Sequence, residues 1–233
     1  MSNSKTNSIP DHIGLILDGN RRWARARGLP TLEGHREGYD NLKLVAEHAF
    51  NYGVKYVSAY VFSTENWNRS EDEVTYLMSL LLKFFKKDCK QLNKEGVKIM
   101  WLGSRLKLSE KILKAVDEAV RMTKNNTKGV LALCFNYGGY DEISEAVKKM
   151  IKLGVKPEDV NPELIRGNLF CPDLPDLDLV IRTSGEQRIS NFMLWRIAYS
   201  ELYFTDKFWP EFRPADLQIA LDDYANRSRR FGG

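Results

Sequence analysis

Four short clusters along the 233-residue chain carry side chains suited to holding anions and moving protons. The first, Asp18-Gly19-Asn20-Arg21-Arg22-Trp23, joins a carboxylate, a glycine that lets backbone approach a ligand, and two guanidinium groups suited to phosphate oxygens. A helix starting there would add free N–H groups and a positive dipole. The second is Ser63-Thr64-Glu65-Asn66-Trp67-Asn68-Arg69 and the third Asn136-Tyr137-Gly138-Gly139. The fourth runs from Arg182 through Thr183, Ser184, Gly185, Glu186, Gln187, Arg188 and Ile189 to Ser190. Arg182 and Arg188 with Ser184 and Ser190 make a second anion cradle. Two such cradles suit two phosphorylated ligands or one long one. Asp-Gly-Asn is also an ordinary turn sequence, and arginines can be solvated surface charge. Adjacent arginines at the end of an apolar strand favour the ligand reading.

Two diphosphates held side by side repel unless neutralised. A hard cation such as Mg²⁺, bound by one or two carboxylates plus phosphate oxygens, meets that need. Asp18 is the best-placed ligand; Glu201 is the second candidate, and equally suits a rim salt bridge. His35, between Gly34 and Arg36, fits either a phosphate donor or a polar surface residue. His12 and His48 have no partner pattern and read as structural. No G-x-x-x-x-G-K-[ST] sequence is present, and Gly138-Gly139 does not fit G-x-G-x-x-G, so neither standard nucleotide loop is supported.

The elements that must position these clusters alternate in type. Short β-rich apolar runs are expected as strands at 13–17, 56–62, 97–102, 130–137, 177–182 and 201–204. Between and after them, helical periods fall at 34–52, 71–94, 109–125, 141–153 and 214 to about 227. This order predicts a single α/β domain with a central, mostly parallel sheet of about six strands flanked by helices. In such sheets ligands bind beyond the carboxyl ends of the strands, where the clusters lie. In the 71–94 helix, apolar Val74, Leu77, Met78, Leu81, Leu82, Phe84 and Phe85 cover more surface than sheet packing needs. They suit a deeply buried core helix or one wall of an apolar ligand cavity; Val61 and Leu82 are candidate wall residues.

Composition narrows the class. With 43% hydrophobic and 28% charged residues the chain is an ordinary globular one. A net charge of +4 is too small an excess to mark a nucleic-acid or membrane footprint, so local arginines must hold any anion. Cys89, Cys134 and Cys171 are widely spaced and form no CxxC pair, arguing against a disulfide framework or zinc site. Residues 1–8 are polar, lack a signal-peptide core and are expected to be disordered, leaving 9–233 as one catalytic domain. No apolar run approaches the ~18 residues of a membrane span. A cytoplasmic protein that touches membrane only from the side is expected.

Four blocks, Leu17 to Ala24, Phe62 to Arg69, Phe135 to Gly139 and Arg182 to Phe192, resemble the signature blocks of cis-prenyltransferases, the nearest group being the bacterial undecaprenyl diphosphate synthases. The likeness continues through Glu201-Leu202-Tyr203-Phe204 and the tail Arg229-Arg230-Phe231-Gly232-Gly233. The resemblance implies a homodimeric enzyme with one helix pair forming an apolar tunnel. Its reaction would condense isopentenyl diphosphate onto an allylic diphosphate such as farnesyl diphosphate, forming cis double bonds. By the same likeness Asp18 would hold Mg²⁺, with Glu201 as the other metal-site carboxylate. The allylic diphosphate would lie against Gly19, Asn20, Arg21, Arg22 and His35, in the block that includes Trp23. Arg182, Arg188 and Ser190, with Ile189 between them, would bind isopentenyl diphosphate. Ser63, Thr64, Glu65, Trp67 and Arg69 would line the reacting region, with Asn66 as the family's suggested proton acceptor. A neutral amide is a very weak base, so Asn66 equally suits orienting a diphosphate or water that takes the proton. The lipid product implies transient contact with a membrane surface, and no nucleic-acid partner is implied.

The chain also departs from the pattern. Thr31 stands where many members have an arginine, a contact that Arg25 or Arg27 would have to replace; Gln187 stands where some have histidine; and Tyr140-Asp141-Glu142 follows Gly139 where others carry Arg or Trp. Competing readings are a shorter-chain synthase, a catalytically silent partner subunit of the same fold, and an unrelated diphosphate-using α/β enzyme.

Overall fold

The computed structural model describes residues 9–227. The polar N-terminus and the Arg229–Gly233 tail singled out above lie outside them. Six strands, β1 (His12–Ile16), β2 (Tyr56–Ser63), β3 (Val97–Leu102), β4 (Gly129–Tyr137), β5 (Leu179–Arg182) and β6 (Glu201–Phe204), form one sheet in the order β3-β4-β2-β1-β5-β6. Every pairing is parallel. The helices are α1 (Asn20–Ala26), α2 (Thr31–Asn51), α3 (Glu71–Lys83), α4 (Cys89–Lys94), α5 (Glu110–Thr123), α6 (Gly139–Lys152), α7 (Pro162–Asn168) and α8 (Pro214–Asn226).

β1 is buried along its whole length because it sits between β2 and β5 with both faces covered, which explains its unbroken apolar run. Alternate residues feed two cores. Ile13, Leu15, Leu131, Leu133, Phe135, Leu179 and Ile181 pack with α2, α5 and α8. Ile16, Ala132, Cys134 and Val180 pack instead with Leu174, Leu177, Phe192 and Met193.

The expected helices are present, with four differences. The first long helix begins at Thr31, immediately after Pro30, which serves as its N-cap. The 71–94 segment is interrupted by a π-helical turn, Phe84–Asp88, between α3 and α4. Strand β5 starts at Leu179, since Leu177 N–H donates to the Arg196 carbonyl and Asp178 N–H to that of His12. Helix α7 was not anticipated, although Asn161-Pro162 is a capping signal: the Asn161 side chain accepts from Leu164 N–H at 2.8 Å. The three cysteines are free. Among the described residues no helix is long and apolar enough to cross a membrane.

Candidate active site

The chain leaves β1 in a sharp turn into α1. Gly19 has φ +103°, and a Cβ there would fall 2.8 Å from Ser184 Oγ, so the close approach of this turn to the segment after β5 requires glycine. The turn delivers Asp18 to the carboxyl edge of the sheet. Its Oδ1 accepts from Gly19 N–H at 2.7 Å; its Oδ2 accepts from Arg182 Nη2 at 2.9 Å and lies 3.3 Å from Arg22 Nη2. Arg182, at the end of neighbouring β5, is nearly buried; its Nη1 donates to Ser190 Oγ at 2.8 Å and to the Arg188 carbonyl. One carboxylate–guanidinium contact thus joins the two sequence cradles into one. Three buried polar atoms here lack a partner within the protein: Asn20 Oδ1, Arg182 Nε and Ser184 Oγ. Burying such groups unpaired is unfavourable, so the pattern suits a polar ligand.

A cavity of about 820 Å³ opens from this edge. Its charged mouth includes Asp18, Gly19, Asn20, Arg21, Arg22 and Arg25, with His35, Ser63, Glu65, Asn66, Arg69, Arg182 and Ser190 around it. Deeper, it is apolar: Tyr39 and Leu42 of α2, Leu77, Leu80 and Leu81 of α3, Phe84 just beyond, and Val61, Leu133 and Phe135 from the sheet. The spacing 77, 80, 81, 84 is one helical stripe. Leu82 lies off that stripe and packs against the core, so of the two expected wall residues only Val61 lines the cavity.

Other expected residues stand behind the lining. Trp23 stacks under Arg27, whose guanidinium carbon is 4.6 Å from the ring centre and which also pairs with Glu211. Arg25, not Arg27, therefore offers a charge near the position where Thr31 departs from the family pattern. Trp67 Nε1 donates to Asn136 Oδ1 at 2.7 Å, tying the second cluster to the third. Thr64 belongs to the 3₁₀ turn Thr64–Asn68, where Ser63 N–H donates to Asn66 Oδ1 at 3.2 Å. That bond leaves the Asn66 amide nitrogen, a donor, for the cavity. Arg188 pairs with Glu186, and Ile189 is a partly buried loop residue that does not line the cavity. Gly139 N–H donates to the Asn191 carbonyl at 2.8 Å, so the third cluster positions the loop that carries Ser190.

Glu201 requires a correction. The β5–β6 register sets Glu201 against Leu179 and Phe204 against Arg182, so Glu201 opens its strand at the opposite end from Asp18. Three residues of rise place it about 10 Å below the carboxyl edge. Its Oε2 accepts from Arg227 Nη1 at 2.8 Å, the salt-bridge alternative.

Glu73, in the first turn of α3, was missed. Its Oε1 is 2.8 Å from His35 Nε2 and 2.9 Å from Arg69 Nη1, and its Oε2 lies 4.0 Å from Arg21 Nε. Burial works against the charged carboxyl, but the His35 hydrogen bond and the Arg69 charge outweigh it and hold the Glu73 pKa below the usual carboxylate value. The His35 pKa is lowered, chiefly by burial, so the ring is neutral near pH 7. A neutral imidazole has one N–H, and His35 spends it on Glu73 rather than on a phosphate. The i,i+4 spacing of Arg69 and Glu73 was the available signal.

A charged mouth continuous with an apolar interior is a site for an amphiphilic anion, and known proteins agree. The family described as "Putative undecaprenyl diphosphate synthase" matches residues 16–232. The chain belongs to that family. It is similar to the isoprenyl transferases of Fusobacterium nucleatum (47% identity, covering 97% of each chain) and Clostridium perfringens (45% identity, 97% of this chain and 90% of the relative). Among solved structures it matches lavandulyl diphosphate synthase from Lavandula x intermedia in complex with dimethylallyl diphosphate, with TM-score 0.92, 35% identity and coverage of 97% and 99%. A "probable undecaprenyl diphosphate synthase" from Campylobacter jejuni matches with TM-score 0.82, 26% identity and coverage of 97% and 100%. The chain is therefore a prenyl transferase of the cis-prenyltransferase family, and its substrates are isoprenoid diphosphates.

Proposed function

We propose that the protein is a Mg²⁺-dependent synthase that adds isopentenyl diphosphate repeatedly to an allylic diphosphate such as farnesyl diphosphate, giving a Z-polyprenyl diphosphate of undecaprenyl length for cell-wall lipid carrier synthesis. The observation that carries this reading is the single cavity that joins the Asp18–Arg182 mouth to the apolar wall of α3. Asp18, Asn20, Arg21 and Arg22 hold the allylic diphosphate; Arg182, with Ser190 and Arg188 beside it, holds that of isopentenyl diphosphate.

The donor set suits a hard cation in one particular way. Among the described residues no three His, Cys, Asp or Glu side chains cluster as a metal cage, yet Asp18 stands among groups arranged for phosphate. Mg²⁺ commonly takes one carboxylate and draws its other ligands from phosphate oxygens and water. Asp18 would be that carboxylate, and the bound cation would neutralise charge on the departing diphosphate. The arginines do the same from fixed positions without reorganising. The isopentenyl double bond attacks the allylic carbon as the carbon–diphosphate bond breaks, and a proton must then leave the new unit. Asn66, its oxygen bonded to Ser63 N–H, orients the diphosphate oxygen that accepts this proton. Each isoprene unit that enters the apolar interior gains roughly 25 cal/mol per Å² of surface removed from water.

The protein acts as a homodimer in the cytoplasm and hands its lipid to a membrane surface by transient contact. An exposed edge strand, β6, with Leu202 and Tyr199 outward, supports the pairing. The test combines the protein with farnesyl diphosphate, labelled isopentenyl diphosphate and Mg²⁺, with a chelated control, and sizes the extracted lipids. Mg²⁺-dependent incorporation into a C55 product is expected; no incorporation by the wild type overturns the reading. A shorter product is the second possibility, favoured by the fit to lavandulyl diphosphate synthase, and the same extraction detects it.

A further inference from the structure

Resting on the elongation reading above, a second polar fastening between α2 and α3 bears on product length. At the charged mouth His35 of α2 meets Glu73 of α3. One turn later on α2, the Tyr39 hydroxyl donates to Asp88 Oδ2, on the last residue of the π-helical turn. Between these fastenings lie Leu77, Leu80, Leu81 and Phe84, the cavity stripe. From Glu73 to Phe84 that wall runs about 16 Å at the rise of a helix.

Tyr39 is an unusual wall residue. Its ring lines the cavity and meets Phe84 edge-on, with centroids 6.5 Å apart at 89°. Two ammonium groups lie over the same ring, Lys43 Nζ at 4.7 Å and Lys83 Nζ at 5.0 Å from its centre. Lys43 Nζ is also 3.8 Å from Asp88. A cluster of acid, phenol and two ammonium groups thus stands beside the end of an apolar wall, far along α3 from the diphosphate groups. Packing alone would close such a wall with aliphatic side chains. A hydrogen bond at the joint with a π turn, a feature frequent at functional positions, makes a closure that one bond holds.

We propose that the Tyr39–Asp88 hydrogen bond is the stop that sets product length. A growing chain extends along Leu77 and Leu80 until its tip meets the Tyr39 and Phe84 rings. While the hydroxyl is anchored to Asp88 the Tyr39 ring does not turn aside, and elongation ends. Without the anchor the ring yields, and further units enter.

The experiment compares products of the wild type, Tyr39→Phe, Asp88→Ala and Lys86→Ala, made from farnesyl diphosphate, labelled isopentenyl diphosphate and Mg²⁺. Lys86 is an exposed residue of the same turn and serves as the control. Both Tyr39→Phe and Asp88→Ala are expected to lengthen the main product by at least one isoprene unit while the first condensation keeps its wild-type rate. Lys86→Ala should leave the distribution alone. Tyr39→Phe keeps the ring and its packing, so it remains informative even if Asp88→Ala folds poorly. Unchanged or shortened products from Tyr39→Phe overturn the stop while leaving the synthase reading intact. No incorporation by the wild type instead removes the elongation reading and the stop with it.

Discussion

Asp18 meets a backbone N–H and two guanidinium groups in the ligand-free protein, so its carboxylate is oriented before any diphosphate arrives. Removing one fixed charge at a developing ionic centre costs about 10²–10³ in kcat. Asp18→Ala should therefore reduce turnover on that scale with the fold intact by circular dichroism, and full activity would dismiss its role as metal ligand. Glu73→Gln tests the missed residue: it keeps the shape but loses the charge that holds Arg69 and His35. We expect KM for the allylic substrate to rise about tenfold, the worth of one charge-assisted hydrogen bond, with KM for isopentenyl diphosphate changing less in steady-state assays. At this scale Asp18, Arg21, Arg22 and Arg182 were legible because a polar residue directly after an apolar strand has to be at the sheet edge. Glu73 was not, because an acid in the first turn of a helix already has a reason to be there in the dipole. Glu201 misled for a related cause: it borders a strand at its beginning, and only register separates the two ends.

The arginines at the mouth depend on how closely α1 crosses α2. A Cβ on Gly34 would strike the Asn20 carbonyl, and neither backbone can yield cheaply. Gly34→Ala should destabilise the fold by about 1–3 kcal/mol, as overpacked contacts do, and raise KM for the allylic diphosphate as Asn20, Arg21 and Arg22 shift. Denaturant unfolding and initial rates measure the two effects separately. Most elements could be read from periodicity, since apolar runs of strand length alternate with helical stripes. The break at Phe84–Asp88 could not, because a π turn changes the backbone bonding by one residue while leaving the surrounding apolar pattern helical. Its only trace is that Phe84 and Cys89, five apart, are both buried. The breadth of the 71–94 apolar surface did carry meaning: Leu77, Leu80, Leu81 and Phe84 face the cavity, while Met78, Leu82 and Phe85 pack into the core.

For the molecule as a whole, association and acid stability are both open to test. Tyr199 is 84% exposed and Leu202 lies on the β6 edge, so a Leu202→Lys, Tyr199→Glu variant should sediment as monomer where the wild type sediments as dimer; a wild-type monomer would end the dimer proposal. His12 lies under the sheet with Nε2 2.8 Å from Ser58 Oγ, and burial foremost lowers its pKa to about 4. In the unfolded chain the ring takes its proton near 6.5. Between those values the unfolded state binds more protons, so stability is full above pH 6.5 and falls by about 3 kcal/mol on descent to pH 4. His12→Asn should flatten that part of a urea-unfolding series. The fold class was legible from the alternation of elements, but not the placement of β1 between β2 and β5, which no local pattern encodes. That placement ties activity to the order of assembly. Asp18 and Arg182 are 164 positions apart, and they meet only when β1 has found β5. Pairings between distant segments form slowly because the intervening chain must first be drawn together. During refolding from denaturant, helical signal should therefore return well before turnover, and the enzyme assay becomes a clock for the closing of its central strand pair.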